Sequence, residues 1–403
     1  MKSRKQQHNW LMLLVGNGYI TLSISILLFG CVSAVTDSNR VLAKDDSSKI
    51  AQSPAATKEN AERLFEEGKT LYQQGSAESL RQAIQKWQEA RLLYRAVGDS
   101  EALRRNRSME ATTLTGIGVV YDDLGEKQKA LDYYNQALPI LRAVGDRGME
   151  ATTLNNIGGV YSALGEKQKA LNFYNQALPI LRAVGYRHVE ATTLNNIGLV
   201  YNDLGEKQKA LDYYNQALPI LRAVGYRRME ATTLHNIGLV YSDLGEKQKA
   251  LDYYNQVLPI RRAVGDRRGE AATLNNIGAV YDDLGEKQKA LDYYNQALPI
   301  RRAVGDRGGE AATLNNIGGV YSDLGQKQKA LDYYNQALPI RRAVGDRGGE
   351  AATLNNIGGV YSDLGEKQKA LDYYNQALPI SRAVGDPYGE VTILDNIRAL
   401  GGF

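Results

Sequence analysis

The chain has 403 residues, a hydrophobic fraction of 43% and 49 Lys and Arg against 45 Asp and Glu. So close a balance leaves no single-sign field to hold nucleic acid or an acidic membrane surface. Pairs such as Arg261-Arg262 lack the uncancelled basic excess that a nucleic-acid footprint needs. The only cysteine, Cys31, excludes an internal disulfide.

Lys2, Arg4 and Lys5 precede an apolar run from Trp10 to Phe29, the charged and apolar regions of an export signal. Residues 1–34 are assigned to that signal. Leu28-Phe29-Gly30-Cys31 resembles a bacterial lipobox, which makes Cys31 a lipidation candidate. Val32-Ser33-Ala34 offers an ordinary cleavage site, and the run is also long enough to remain as an anchor helix. Each alternative expects the rest of the chain to be exported, periplasmic or extracellular, with membrane contact only through this segment. Residues 35–57, polar and small with Pro54, read as a flexible linker.

From 111 to 390 the chain consists of seven consecutive blocks of 40 residues without insertion, and a fixed period in this range predicts a stacked array. In 191–230, Leu194, Ile197, Gly198, Tyr201 and Leu204 follow helical spacing. Gly205 stops that helix, and a second one buries Ala210, Leu211, Tyr214, Ala217 and Leu218. Gly225 ends the second helix, and Asp146, Asp266, Asp306 and Asp346 are placed to cap the next first helix. Neither helix pair can bury its apolar stripe alone, so each must stack on its neighbours. Pro219 and its counterparts from Pro139 to Pro379 predict a kink or an early end of every second helix.

Leu194, Ile197, Gly198, Tyr201, Ala210, Tyr214 and Ala217 match the signature of the tetratricopeptide repeat, which the chain resembles over 111–390. The resemblance implies an all-α fold, a right-handed superhelical α-solenoid of helix–turn–helix units. Gly198 and Ala210 are expected where the helices of a unit cross, and Tyr201, Tyr214 and Ala217 against the following unit. The longer period, with Asn-Asn-Ile-Gly and Gly-Asp-Arg-x-x-Glu, resembles the subclass of kinesin light chains. Residues 58–110 carry Leu64, Gly68, Leu71, Ala83, Trp87 and Ala90 at the motif's spacing, with an insertion near Ser76–Ser79, and read as a divergent first repeat or cap. Residues 391–403 begin an eighth repeat in which Arg398 replaces the motif glycine, a partial unit or cap.

No catalytic constellation, metal site or cofactor motif is found. The three histidines, His8, His188 and His235, lack partners at ligand spacing, and Gly116-Ile117-Gly118 opens no phosphate loop. What remains is a surface. The resemblance implies that motif positions 2, 5, 6, 9, 12 and 13 line the concave face. Position 6 holds Asn156, Asn196, Asn236, Asn276, Asn316, Asn356 and Asn396. Such amides offer both donors and acceptors to the backbone of an extended peptide, or else satisfy a neighbouring helix. Position 9 varies from glycine to Leu199 and Leu239, and position 12 includes Asn202, which predicts a groove of graded depth, most apolar in its middle. The expected function is a non-enzymatic scaffold for a protein or peptide partner. Two rivals stand beside it: self-association of the array ends, and the regulatory arm of a CHAT-type protease, whose cyanobacterial arms the stretch LFEEGKTLYQQG resembles.

Overall fold

A computed structural model describes residues 54–96 and 102–401, so Cys31, the export signal and most of the linker lie outside the described residues. Seventeen α-helices and no strands are found among them. The chain forms two compact units, Met1–Met229 and Glu230–Phe403.

In the first unit, helices Pro54–Gln74 and Ala77–Ala96 form the divergent pair. Trp87 fills its centre, and its indole N–H donates to the Phe65 carbonyl at 2.9 Å. Ser76 and Ser79 cap each other, with the Ser79 N–H donating to Ser76 Oγ at 3.0 Å and the Ser76 N–H to Ser79 Oγ at 3.1 Å. The regular pairs follow: Ala102–Asp123 with Lys127–Val144, Arg147–Ala163 with Lys167–Val184, and Arg187–Asp203 with Lys207–Ala223.

The second unit repeats the scheme. Its helices Arg227–Asp243, which begins at the end of the first unit, and Lys247–Ala263 are followed by the pairs Arg267–Asp283 with Lys287–Ala303, Arg307–Asp323 with Lys327–Ala343, and Arg347–Asp363 with Lys367–Ala383, closed by the single helix Pro387–Ala399.

Both turns of the repeat follow the sequence reading. Gly205 adopts φ +78°, and the Glu206 N–H closes back onto the Tyr201 carbonyl at 2.9 Å. At the other turn Asp146, Asp266, Asp306, Asp346 and Asp386 each accept the N–H three residues on. Tyr186 stands in this place before Arg187–Asp203 and makes no side-chain cap bond.

The close crossing within a pair is real. A Cβ on Gly198 would lie 2.6 Å from the Tyr214 ring, and one on Gly278 would lie 2.7 Å from Tyr294. The hydrophobic clusters run across repeat borders. Ala290, Leu291 and Tyr294 of one second helix pack with Leu314, Ile317 and Val320 of the next first helix. Two expectations change here. Ala297, the counterpart of Ala217, joins the cluster of the preceding repeat. Tyr201 stacks at 5.5 Å on Tyr213 of its own repeat.

The second helices do not end early at proline. Lys127–Val144 runs through Pro139, and Lys207–Ala223 through Pro219. The missing N–H and the crowding of the ring cost roughly 3 kcal/mol or more. Against this stands the turn beyond the proline, where Leu141 and Val144 of one helix, and Ile220 and Leu221 of the other, are buried, each contributing about 1.5–3 kcal/mol. Packing therefore carries the helix past the residue that would stop it alone.

Candidate functional site

The first helices are tied to one another by side chains. In the second unit the Thr313 hydroxyl donates to Asn275 Oδ1 at 3.0 Å, and Asn316 Nδ2 reaches the same oxygen at 3.4 Å. The next step repeats this, with Thr353 at 3.2 Å and Asn356 at 3.3 Å from Asn315 Oδ1. Asn396 Nδ2 then donates to Asn355 Oδ1 at 3.0 Å. His235 takes the acceptor's place for Asn276, at 3.3 Å. In the first unit Thr193 donates to Asn155 Oδ1 at 2.9 Å. The sequence carries a signal for this seam. The position-5 asparagines are the acceptors, and the threonines at position 3 are their partners.

The amide ladder thus lies where expected along the first helices, but much of its donor capacity is used between helices. Asn276, Asn316 and Asn356 are half-buried donors within the seam. Asn156 and Asn196 hold a buried Nδ2 without a hydrogen-bond partner, and Asn236 is half-buried. Leu199 is 38% exposed. Leu239 is partly buried against the cluster of Ala250, Leu251 and Tyr254. Asn202 Oδ1 accepts from Lys207 Nζ at 2.9 Å, tying it to its own turn.

One open depression of about 410 Å³ gathers positions 6, 9 and 12 from three successive first helices of the second unit. Gly319 and Gly359 line it together with Ser322, Ser362, Asn356 and Asn396. Asp323 and Asp363 stand at the rim. Asp323 pairs with Lys287 at 2.5 Å and Asp363 with Lys327, so the rim is ionic but locally balanced. Tyr334 also lines the space, and burial first, then Asp323, pushes its phenol up to about 12. It stays protonated at neutral pH and can donate as well as accept. The glycines matter for space. A Cβ on Gly319 or Gly359 would meet only a tyrosine hydroxyl, at 3.8 and 3.9 Å. Neither is required by helix packing, unlike Gly318 and Gly358 beside them. Sequence reasoning placed the apolar emphasis at Leu199 and Leu239, which lie outside this depression. The room made by glycine at position 9 was visible only as a missing side chain.

Among the described residues no group of three or more His, Cys, Asp or Glu is placed to hold a metal ion, and no helix is long and apolar enough to cross a membrane. The chemistry available is hydrogen bonding from amides and hydroxyls, with carboxylates at the edge.

No curated protein matches the chain significantly. Solved structures do. A signal transduction ATPase with numerous domains from Pyrococcus horikoshii, with a tetratricopeptide repeat sensor, has a TM-score of 0.62 at 16% identity, covering 83% of this chain and 55% of that one. This chain thus spans about half of that protein. The apo form of the quorum sensor NprR from B. thuringiensis has a TM-score of 0.60 at 17% identity, covering 79% of this chain and 87% of that one. A Rap protein complexed with competence and sporulation factor has a TM-score of 0.53 at 15% identity, covering 83% and 98%. At these identities the likeness establishes the fold. The family model described as tetratricopeptide repeat matches in overlapping stretches, 109–183, 149–223, 189–263, 229–303, 270–343 and 309–383. With most of its length so matched, and with the helix pairs and the crossing glycines with their tyrosines in place, the chain belongs to the tetratricopeptide repeat family.

Proposed function

We propose that the protein is a non-enzymatic interaction scaffold that binds an extended segment of a partner protein along its first helices, with the depression over Gly319 and Gly359 as the seat. The observation that carries this reading is the convergence of positions 6, 9 and 12 from three helices on one open, polar space. Family and fold support a protein-interaction scaffold in general. The Rap structure, which holds a bound factor, and NprR, a quorum sensor, supply the analogy for a bound signal. The proposed location is outside the cytoplasm, as the amino-terminal sequence suggests.

The amide ladder is a poor handle for testing this, because changing Asn356 to alanine also removes a bond to Asn315. Position 9 is a better one. Other copies carry Leu199, Leu239 or Ala279 there, so Gly319→Leu with Gly359→Leu fills the depression within a tolerated helix. Affinity capture with residues 58–403 should recover a partner that this double variant loses while its helicity is kept and its melting does not fall. A partner retained at full affinity by the variant would remove the depression from the reading.

A further inference from the structure

The copies differ at the joint between one second helix and the next first helix. The residue nine places before the end of the copy is Leu141, Leu181 and Leu221 in three copies, and Arg261, Arg301 and Arg341 in the next three. The residue next to the end changes with it. Met149, Val189 and Met229 accompany the leucines, while Gly269, Gly309 and Gly349 accompany the arginines.

The geometry explains the pairing. Leu141 and Leu181 are fully buried, and Met149 and Val189 are 4% and 2% exposed. The arginines occupy the same interior place, Arg261 at 7% and Arg301 at 9% exposure. Their longer side chains end where the next helix begins, and a Cβ built on Gly309 or Gly349 would run into the Nη1 of Arg301 or Arg341. Glycine is what lets the guanidinium in. Once there, Arg301 Nη1 donates to Asp306 Oδ2 at 2.6 Å, and Arg261 Nη1 donates to Thr273 Oγ1 at 2.8 Å. The Nε of Arg261, Arg301 and Arg341 is buried without a hydrogen-bond partner.

Three consequences act in one direction. A buried guanidinium gives up hydration that its partners only partly replace. An unsatisfied buried N–H is costly. A glycine in the first turn gives the opened helix more conformational freedom to gain. The leucine–methionine joints lack the first two weaknesses, since apolar burial closes them, and Arg147–Ala163 carries one first-turn glycine, Gly148, where Arg307–Asp323 carries two, Gly308 and Gly309.

We propose that the arginine–glycine joints are compliant and the leucine–methionine joints stiff, so that helices Arg267–Asp283, Arg307–Asp323 and Arg347–Asp363 open locally while Arg147–Ala163 and Arg187–Asp203 stay closed. Two of the compliant helices carry the glycines that line the depression, so the section able to reshape around a ligand is the section with the space for one. The proposal concerns the joints and stands whatever binds there.

Amide hydrogen exchange of the full chain, read by mass spectrometry, tests it. Residues 307–323 should exchange at least tenfold faster than 147–163, a helix with the same aspartate cap. Arg301→Leu combined with Gly309→Met should slow 307–323 at least fivefold, whereas Gly309→Met alone, which collides with the guanidinium, should speed it. The reverse exchange, Leu141→Arg with Met149→Gly, should speed 147–163, and it provides the reading if the first pair fails to fold. Equal exchange of the two helices in the unaltered chain would overturn the proposal. So would a difference that survives the double substitution, which is what fraying from the nearer chain end would produce.

Discussion

Gly318 and Gly319 are adjacent in one helix, and alanine should act on them with opposite sign. A Cβ on Gly318 would sit 2.7 Å from Tyr334 Cε1, where carbon atoms settle at roughly 3.5–4.0 Å. The ring must retreat by about 1 Å, yet Tyr334 is only 3% exposed and packed among Leu354, Ile357 and Val360. Overpacking of this kind costs about 1–3 kcal/mol. Alanine returns about 0.8–1 kcal/mol of helix propensity, so Gly318→Ala should lose up to roughly 2 kcal/mol net. At Gly319 the nearest atom to the new Cβ is the Tyr334 hydroxyl at 3.8 Å, an ordinary contact, and the propensity gain stands alone. Gly319→Ala should therefore stabilise by about 0.5–1 kcal/mol. Both substitutions lie in the same repeat, so neighbour coupling within the array affects both alike. Urea titrations followed by circular dichroism compare the midpoints, with Gly278→Ala and Ala279→Gly as the same contrast one repeat earlier. If both alanines shift the midpoint the same way, the account of position 8 as the crossing and position 9 as free space is wrong.

Other expectations follow from single contacts. Burial, and secondarily Arg261, lowers His235 from 6.5 to about 3, so the folded chain keeps it neutral while the unfolded chain protonates it below 6.5. Its contribution is complete above pH 6.5 and lost as pH falls toward 3. At pH 4.5 this amounts to about 3 kcal/mol, and His235→Asn should flatten that part of the stability–pH profile measured by denaturant titration. Asp306→Ala removes both a helix cap and the partner of a buried guanidinium, for a loss of roughly 3 kcal/mol. Asp386→Ala removes a cap on an exposed helix start and should cost about 1 kcal/mol, so equal losses in the two variants would contradict the joint described above. Mass spectrometry of the protein recovered from cells should find a new amino terminus near Cys31 or Ala34, and an intact Met1 would refute processing of the export signal.

Much of the array was legible because its rules are local. Apolar spacing, a glycine at each turn and an aspartate before each first helix specify helices of defined length, and the repetition of these features makes stacking the only way to bury their stripes. Gly198 could be identified as a crossing residue because its lack of a side chain recurs beside a recurring tyrosine. The limits of the sequence also have particular addresses. Pro139 and Pro219 read as terminators, since propensity counts a lost bond but not the buried leucine beyond it. Asn316 and Asn356 read equally as ligand donors or as structural links, since the acceptor is an asparagine 41 residues earlier, brought near only by stacking. Periodicity, turn chemistry and capping act within a few residues, so the chain alone determines the repeating helix pair. Which side of each helix faces a neighbour depends on distances between residues one repeat apart. The space over Gly319 and Gly359, and the fit of Arg301 against Gly309, were therefore decided only by the tertiary structure.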